Sequence, residues 1–163
     1  MKLKRRSARL MALGVVLWAW GFGSLPARGD PPANHVGVGW GWNIGGATFP
    51  FFFYERRVST RWYLHSAVAR IETPDETFYV FPVGFVYYSP SITKVAYSTT
   101  AEIGLGLFLP VGIEASNHTE LVAPVAPFPY LFVGLRGQGA WWFIGAKVYL
   151  FPPGAALNMG LRL

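Results

Sequence analysis

The stretch Val95-Ala-Tyr-Ser-Thr-Thr-Ala-Glu-Ile-Gly-Leu-Gly-Leu-Phe-Leu-Pro-Val-Gly-Ile113 places Ile103, Leu105, Leu107, Leu109 and Val111 at odd positions, against Thr100, Glu102, Gly104 and Gly106 at even ones. A period of two marks a β-strand, because successive side chains point to opposite faces. One face is apolar almost throughout, and the other carries small residues and a single carboxylate, so the two faces meet different media. A β-sandwich core could cover the apolar face, but the run far exceeds the usual strand of about 5 to 6 residues. About 9 to 11 tilted residues cross a bilayer. The run therefore predicts a strand long enough to span a membrane and project beyond it.

Seven more segments follow the same pattern outward from this one, at residues 36–44, 48–56, 59–72, 77–88, 130–136, 140–151 and 155–163. Between most of them stand turn signals such as Gly45-Gly46, Thr73-Pro74-Asp75-Glu76, Ser89-Pro90-Ser91, Gly137-Gln138-Gly139 and Pro152-Pro153-Gly154. In the first segment Val36, Val38, Trp40 and Trp42 share one face, and Gly37, Gly39 and Gly41 the other. Large residues outside and glycine inside suit a narrow barrel. Segment 77–88 aligns Tyr79, Phe81, Val83, Phe85 and Tyr87, with a tyrosine at each end of an apolar face, as the two interfaces of a membrane favour. Segment 48–56 is apolar on both faces, which leaves its register open, and Glu55-Arg56-Arg57 closes it at a polar boundary. Residues 114–129, with Pro124, Pro127 and Pro129, are expected to form a long outer loop.

Residues 1–9 are basic, residues 10–23 carry no charge, and Ala27 and Gly29 supply small residues, which is the order of a secretory signal peptide. Cleavage after Gly29 would leave one barrel domain, residues 30–163. An uncleaved anchor is the other possibility, since residues 10–27 form a charge-free run. The formal net charge of +6 belongs to this leader. Beyond it, eight basic residues face all eight acidic ones, which removes the electrostatic case for nucleic-acid binding. The sequence contains no cysteine, so there is neither a disulfide framework nor a thiolate metal site.

Basic head, eight alternating segments, aromatic strand ends and a final strand at 155–163 together resemble the small eight-stranded outer-membrane barrels of Gram-negative bacteria, of the outer-membrane protein A and X type. The resemblance covers residues 36–163 and is one of pattern. It implies an all-β, eight-stranded antiparallel up-and-down transmembrane β-barrel in the cell outer membrane. Short periplasmic turns, longer outer loops, and contact with outer-membrane lipid and lipopolysaccharide go with that fold. A surface ligand at the outer loops and a monomeric state are further expectations; no cofactor is expected.

The inward parity of five strands collects Arg61, Glu102, Arg136, Lys147 and Arg162, with His65 and Asn158 nearby. A cation facing lipid at mid-membrane costs about 2 to 4 kcal/mol, so these groups should turn into the lumen and pair. Glu102 is expected to anchor this ion-pair network. An eight-stranded lumen has room only for packed side chains, so a plugged barrel with a structural, adhesion or surface-interaction role is favoured over a porin-like pore.

Two other classes remain open. Some barrels of this size are lipid-A-modifying enzymes that use serine and histidine. The candidates are His65 with Ser66, which strand geometry sends to opposite faces, and His118 with Ser116, Thr119 and Glu120. No catalytic set and no metal-ligand spacing is assigned. A soluble exported lipocalin-like carrier would turn Leu105 and Leu157 inward and Glu102 and Arg162 to water, because alternation distinguishes two faces without saying which is inside.

Overall fold

Strands form at each of the eight alternating segments in the computed structural model, which describes residues 34–72, 76–94, 98–115 and 126–163. They are β1 (Asn34–Asn43), β2 (Thr48–Arg57), β3 (Trp62–Glu72), β4 (Glu76–Tyr88), β6 (Ser98–Ala115), β7 (Phe128–Gln138), β8 (Trp142–Phe151) and β9 (Pro153–Arg162). A two-residue strand, β5 (Thr93–Lys94), pairs only with the start of β6. Every long strand lies antiparallel to its sequence neighbour, β4 pairs with β6, and β1 pairs with β9. The sheet thus closes on itself as an eight-stranded up-and-down barrel. The β1–β9 join continues to Asn34 and Leu163, each of which donates its amide to the other's carbonyl, at 3.2 and 2.8 Å. The expected signal peptide, residues 1–29, lies outside the described residues.

The two faces separate as amphipathic strands in lipid require. Leu105 and Leu157 are 48% and 56% exposed on the outside, whereas Glu102 is buried in the lumen. The inverted arrangement of a soluble carrier is not the one observed. Ten or more residues per strand suffice for an apolar band about 25 Å tall. Trp62, Tyr87 and Trp142 mark the end of the barrel that holds Asn34 and Leu163, where Trp62 and Tyr87 pair with ring centroids 5.3 Å apart. Trp42 and Tyr79 mark the opposite, loop end.

Three boundaries differ from expectation. The amides of Val58 and Ser59 both donate to the Trp62 carbonyl, at 2.9 and 3.2 Å, which tightens the turn and delays β3 until Trp62. The long strand around Leu105 is described from Ser98 and runs past Ile113 to Ala115; residues 95–97 lie outside the described residues. Residues 116–125 of the expected outer loop lie outside the described residues, while residues 114 and 115 belong to β6 and Pro129 belongs to β7 opposite Leu107. A proline is tolerated there because it stands at the start of its strand.

The open register of β2 resolves with Phe49, Phe51, Phe53 and Glu55 inside and Phe52 and Tyr54 outside. Each inward ring lies over a glycine of β1, with which it is paired: Phe49 over Gly41, Phe51 over Gly39 and Phe53 over Gly37. A Cβ at Gly39 would collide with the Phe51 ring and come within 2.7 Å of the Leu157 carbonyl oxygen, so two strands exclude it at once. Gly39→Val is therefore expected to destabilise the barrel by about 1 to 3 kcal/mol through overpacking. Urea titration of the vesicle-embedded protein reads this out, and an unchanged midpoint would mean that the ring does not lie there.

Candidate functional site

The lumen parity of β2 carries Glu55 between His35 of β1 and His65 of β3, its direct cross-strand partners. Glu55 and Arg136 are both 0% exposed. Arg136 Nη1 donates to Glu55 Oε2 at 3.0 Å and Nη2 to Oε1 at 3.2 Å, a two-pronged pairing that suits the planar guanidinium. His35 Nδ1 lies 3.0 Å from Oε2, His65 Nδ1 lies 3.2 Å from Oε1, and the Tyr88 hydroxyl donates to Oε2 at 2.6 Å. The guanidinium is held between two rings, 4.5 Å from the Tyr88 centroid and 4.2 Å from that of Phe143. Aromatic faces stabilise a desolvated cation by their quadrupole.

A second carboxylate completes the charge balance. Glu102 Oε2 lies 3.1 Å from Arg136 Nη2, and Oε1 lies 3.8 Å from Lys147 Nζ. These are ion-pair distances without hydrogen-bond alignment, and both Glu102 oxygens lack a hydrogen-bond partner. Thr100 Oγ1 and both amide atoms of Asn158 lack one too. Lys147 Nζ also sits 4.3 Å over the Phe132 ring. Two carboxylates and two cations thus occupy the half of the lumen nearer Asn34 and Leu163.

The structure brings five of the expected residues, Glu102, Arg136, Lys147, His65 and Asn158, into one buried region. Arg162 stands on the inward parity at its margin and is half-buried; its Nη1 donates to the Gly139 carbonyl at 2.6 Å. Arg61 does not enter the lumen. It is exposed in the turn before β3, and its Nη1 donates to the Tyr87 hydroxyl at 3.3 Å, because the tight turn at 58–61 ends before the inward parity is established. Glu55, rather than Glu102, has the most partners. Glu55, His35 and Tyr88 were not expected here, although His35 and Glu55 share the parity of Gly37 and Phe53, a signal readable in the sequence.

Within this cluster charge is set against charge. His65 points into the lumen toward Glu55, while the Ser66 hydroxyl reaches the Tyr54 carbonyl at 3.5 Å, so the two form no nucleophile and base pair. His118 lies outside the described residues. Arg136 spans both oxygens of Glu55, and no metal-holding group of histidine, aspartate and glutamate occurs among the described residues.

The loop-end half of the lumen has the opposite character. Ala47, Phe49, Ala69, Val80, Phe108 and Tyr149 are among the residues that line a cavity of about 290 Å³ there. Tyr130 and Phe132 lie beneath it, with centroids 5.0 Å from Phe108 and 5.5 Å from Tyr149 respectively. The molecule is a closed meander with an apolar outside and a lumen divided into a charged and an apolar half. The fold is that of a small transmembrane β-barrel. A de novo designed transmembrane β-barrel superposes on this chain with a TM-score of 0.57 at 12% identity, over 84% of this chain and all of the other. The N-terminal β-barrel domain of Pseudomonas aeruginosa OprF does so with a TM-score of 0.54 at 10% identity, over 80% of this chain and 97% of its own. No protein-family model and no curated protein sequence matches the chain.

Proposed function

We propose that this protein is exported and resides in the outer membrane as a non-enzymatic barrel, with a structural or surface-interaction role and a lumen closed by the Glu55–Arg136–Glu102–Lys147 cluster. The observation that carries this is the segregation of charge. Leucine, isoleucine and tryptophan cover the outside between two aromatic margins, while the four buried ions lie inside. The basic, apolar and small-residue order of residues 1–29 supports export. Two buried carboxylates set against two buried cations leave no excess charge to attract a permeating ion, which supports a plug over a pore.

Fractionation of a Gram-negative host that expresses the full chain tests the location. Recovery in the outer membrane with a band whose mobility shifts on boiling is expected, and a soluble periplasmic product would sink the proposal. Planar-bilayer recording tests the plug: silence is expected, and regular conductance steps would replace the plug with a pore.

A further inference from the structure

The two halves of the lumen are built differently. Toward Asn34 and Leu163 the space is filled by long side chains, Arg136, Glu55, Tyr63 and Tyr88. Toward the loop end the wall uses Ala47, Ala69 and Gly154, and the Phe49 ring lies over Gly41 instead of across the lumen. An eight-stranded barrel is just wide enough for side chains to fill it. Small residues on the wall of one half therefore keep a space open.

The chemistry of that space selects its occupant. Buried water needs about 2 to 4 polar partners, and cavities with apolar linings stay dry or bind apolar molecules. Of the described lining side chains only Asn43 and Tyr149 carry polar atoms, and the Asn43 Oδ1 already accepts the Ala47 amide at 2.9 Å. No lining side chain among the described residues is charged. An apolar space of about 290 Å³ has room for a hydrocarbon tail. The layer of Tyr130 and Phe132 closes the floor, and Lys147 lies against Phe132 beyond it. One straight tail, entering end-on from the mouth, sets only carbon against this lining.

We propose that the loop-end lumen is a binding cup for a single hydrocarbon chain, that of a free single-chain amphiphile of the fatty-acid type. The tail enters end-on between Phe49, Phe108 and Tyr149, and the polar head stays at the mouth beside Asn43. This inference rests on the lumen alone and holds whichever membrane and role the barrel proves to have.

Decanoate is the probe. The methyl-labelled barrel in nanodiscs of perdeuterated lipid is titrated with protonated decanoate, and nuclear Overhauser contacts are read at Ala47, Ala69, Ile71 and Val80. Saturable contacts to these methyls, distinct from those to the outward Leu157 and Met159, are expected. Ala69→Trp, which fills the cup, should weaken binding at least tenfold while the boiling-dependent mobility shift is retained; Ile71→Trp serves if that variant does not fold. Contacts only to Leu157 and Met159 would mean partition into the surrounding lipid and would overturn the proposal. So would contacts to water in place of the chain, or a cup signal unchanged by either filling variant.

Discussion

Glu55→Gln is expected to lower the unfolding free energy of the barrel by about 3 to 5 kcal/mol, because it removes the carboxylate that Arg136 grips with both prongs and leaves two buried cations, Arg136 and Lys147, to share Glu102. Arg136 is wholly buried, and Glu55 accepts both of its terminal nitrogens. Glutamine keeps the size of the side chain and one carbonyl oxygen, so the loss reports charge more than shape. Glu102→Gln should cost less, since Arg136 retains its fork on Glu55 and Glu102 makes no aligned hydrogen bond. Combining Glu55→Gln with Arg136→Met should recover much of the loss, as expected when an apolar side chain replaces the stranded ion. Urea titration in phosphocholine vesicles, followed by tryptophan fluorescence, gives all three values. If Glu102→Gln cost as much as Glu55→Gln, the cluster would not centre on Glu55.

The second large effect lies on the outer surface. Leu157→Arg places a cation near the middle of β9, on the face that carries Met159 and Leu161, and should cost about 2 to 4 kcal/mol in a bilayer. Leu161→Arg, opposite Val36 and Trp142 near one margin, should cost about 0 to 1 kcal/mol. The same vesicle titration measures both. Equal costs at the two depths would mean that this face does not cross a hydrocarbon layer.

Strand number, order and the lipid-facing set were legible because alternation is strongest where one face is uniformly apolar, as around Leu105 and Leu157. The centre of the lumen cluster was harder to read for a local reason. Phenylalanine on both faces of β2 hides its parity, so Glu55 beside Arg56 and Arg57 resembles the polar end of a strand. The hairpin through Gly45 and Gly46 contains the missing information. Once Trp42 is set opposite Thr48, counting back along both strands puts Glu55 opposite His35, in phase with the β1 glycines. Arg61 failed in the opposite direction, since its odd number suggested the inward face but a turn has no alternating faces. The loop-end cavity could not be foreseen, because it depends on where the rings of Phe49 and Phe51 lie and not on which way their strand points.

The join between β1 and β9 sets residues 34–43 against residues 153–162, the described strands farthest apart in the chain. Until that join forms, β1 and one flank of the remaining sheet each present a row of unpaired amides and carbonyls, which hydrocarbon does not tolerate. A partly assembled sheet is therefore unfit for the bilayer interior, and adding strands one at a time cannot fill the membrane gradually. For this molecule, entering the lipid and shutting the ring have to be one event.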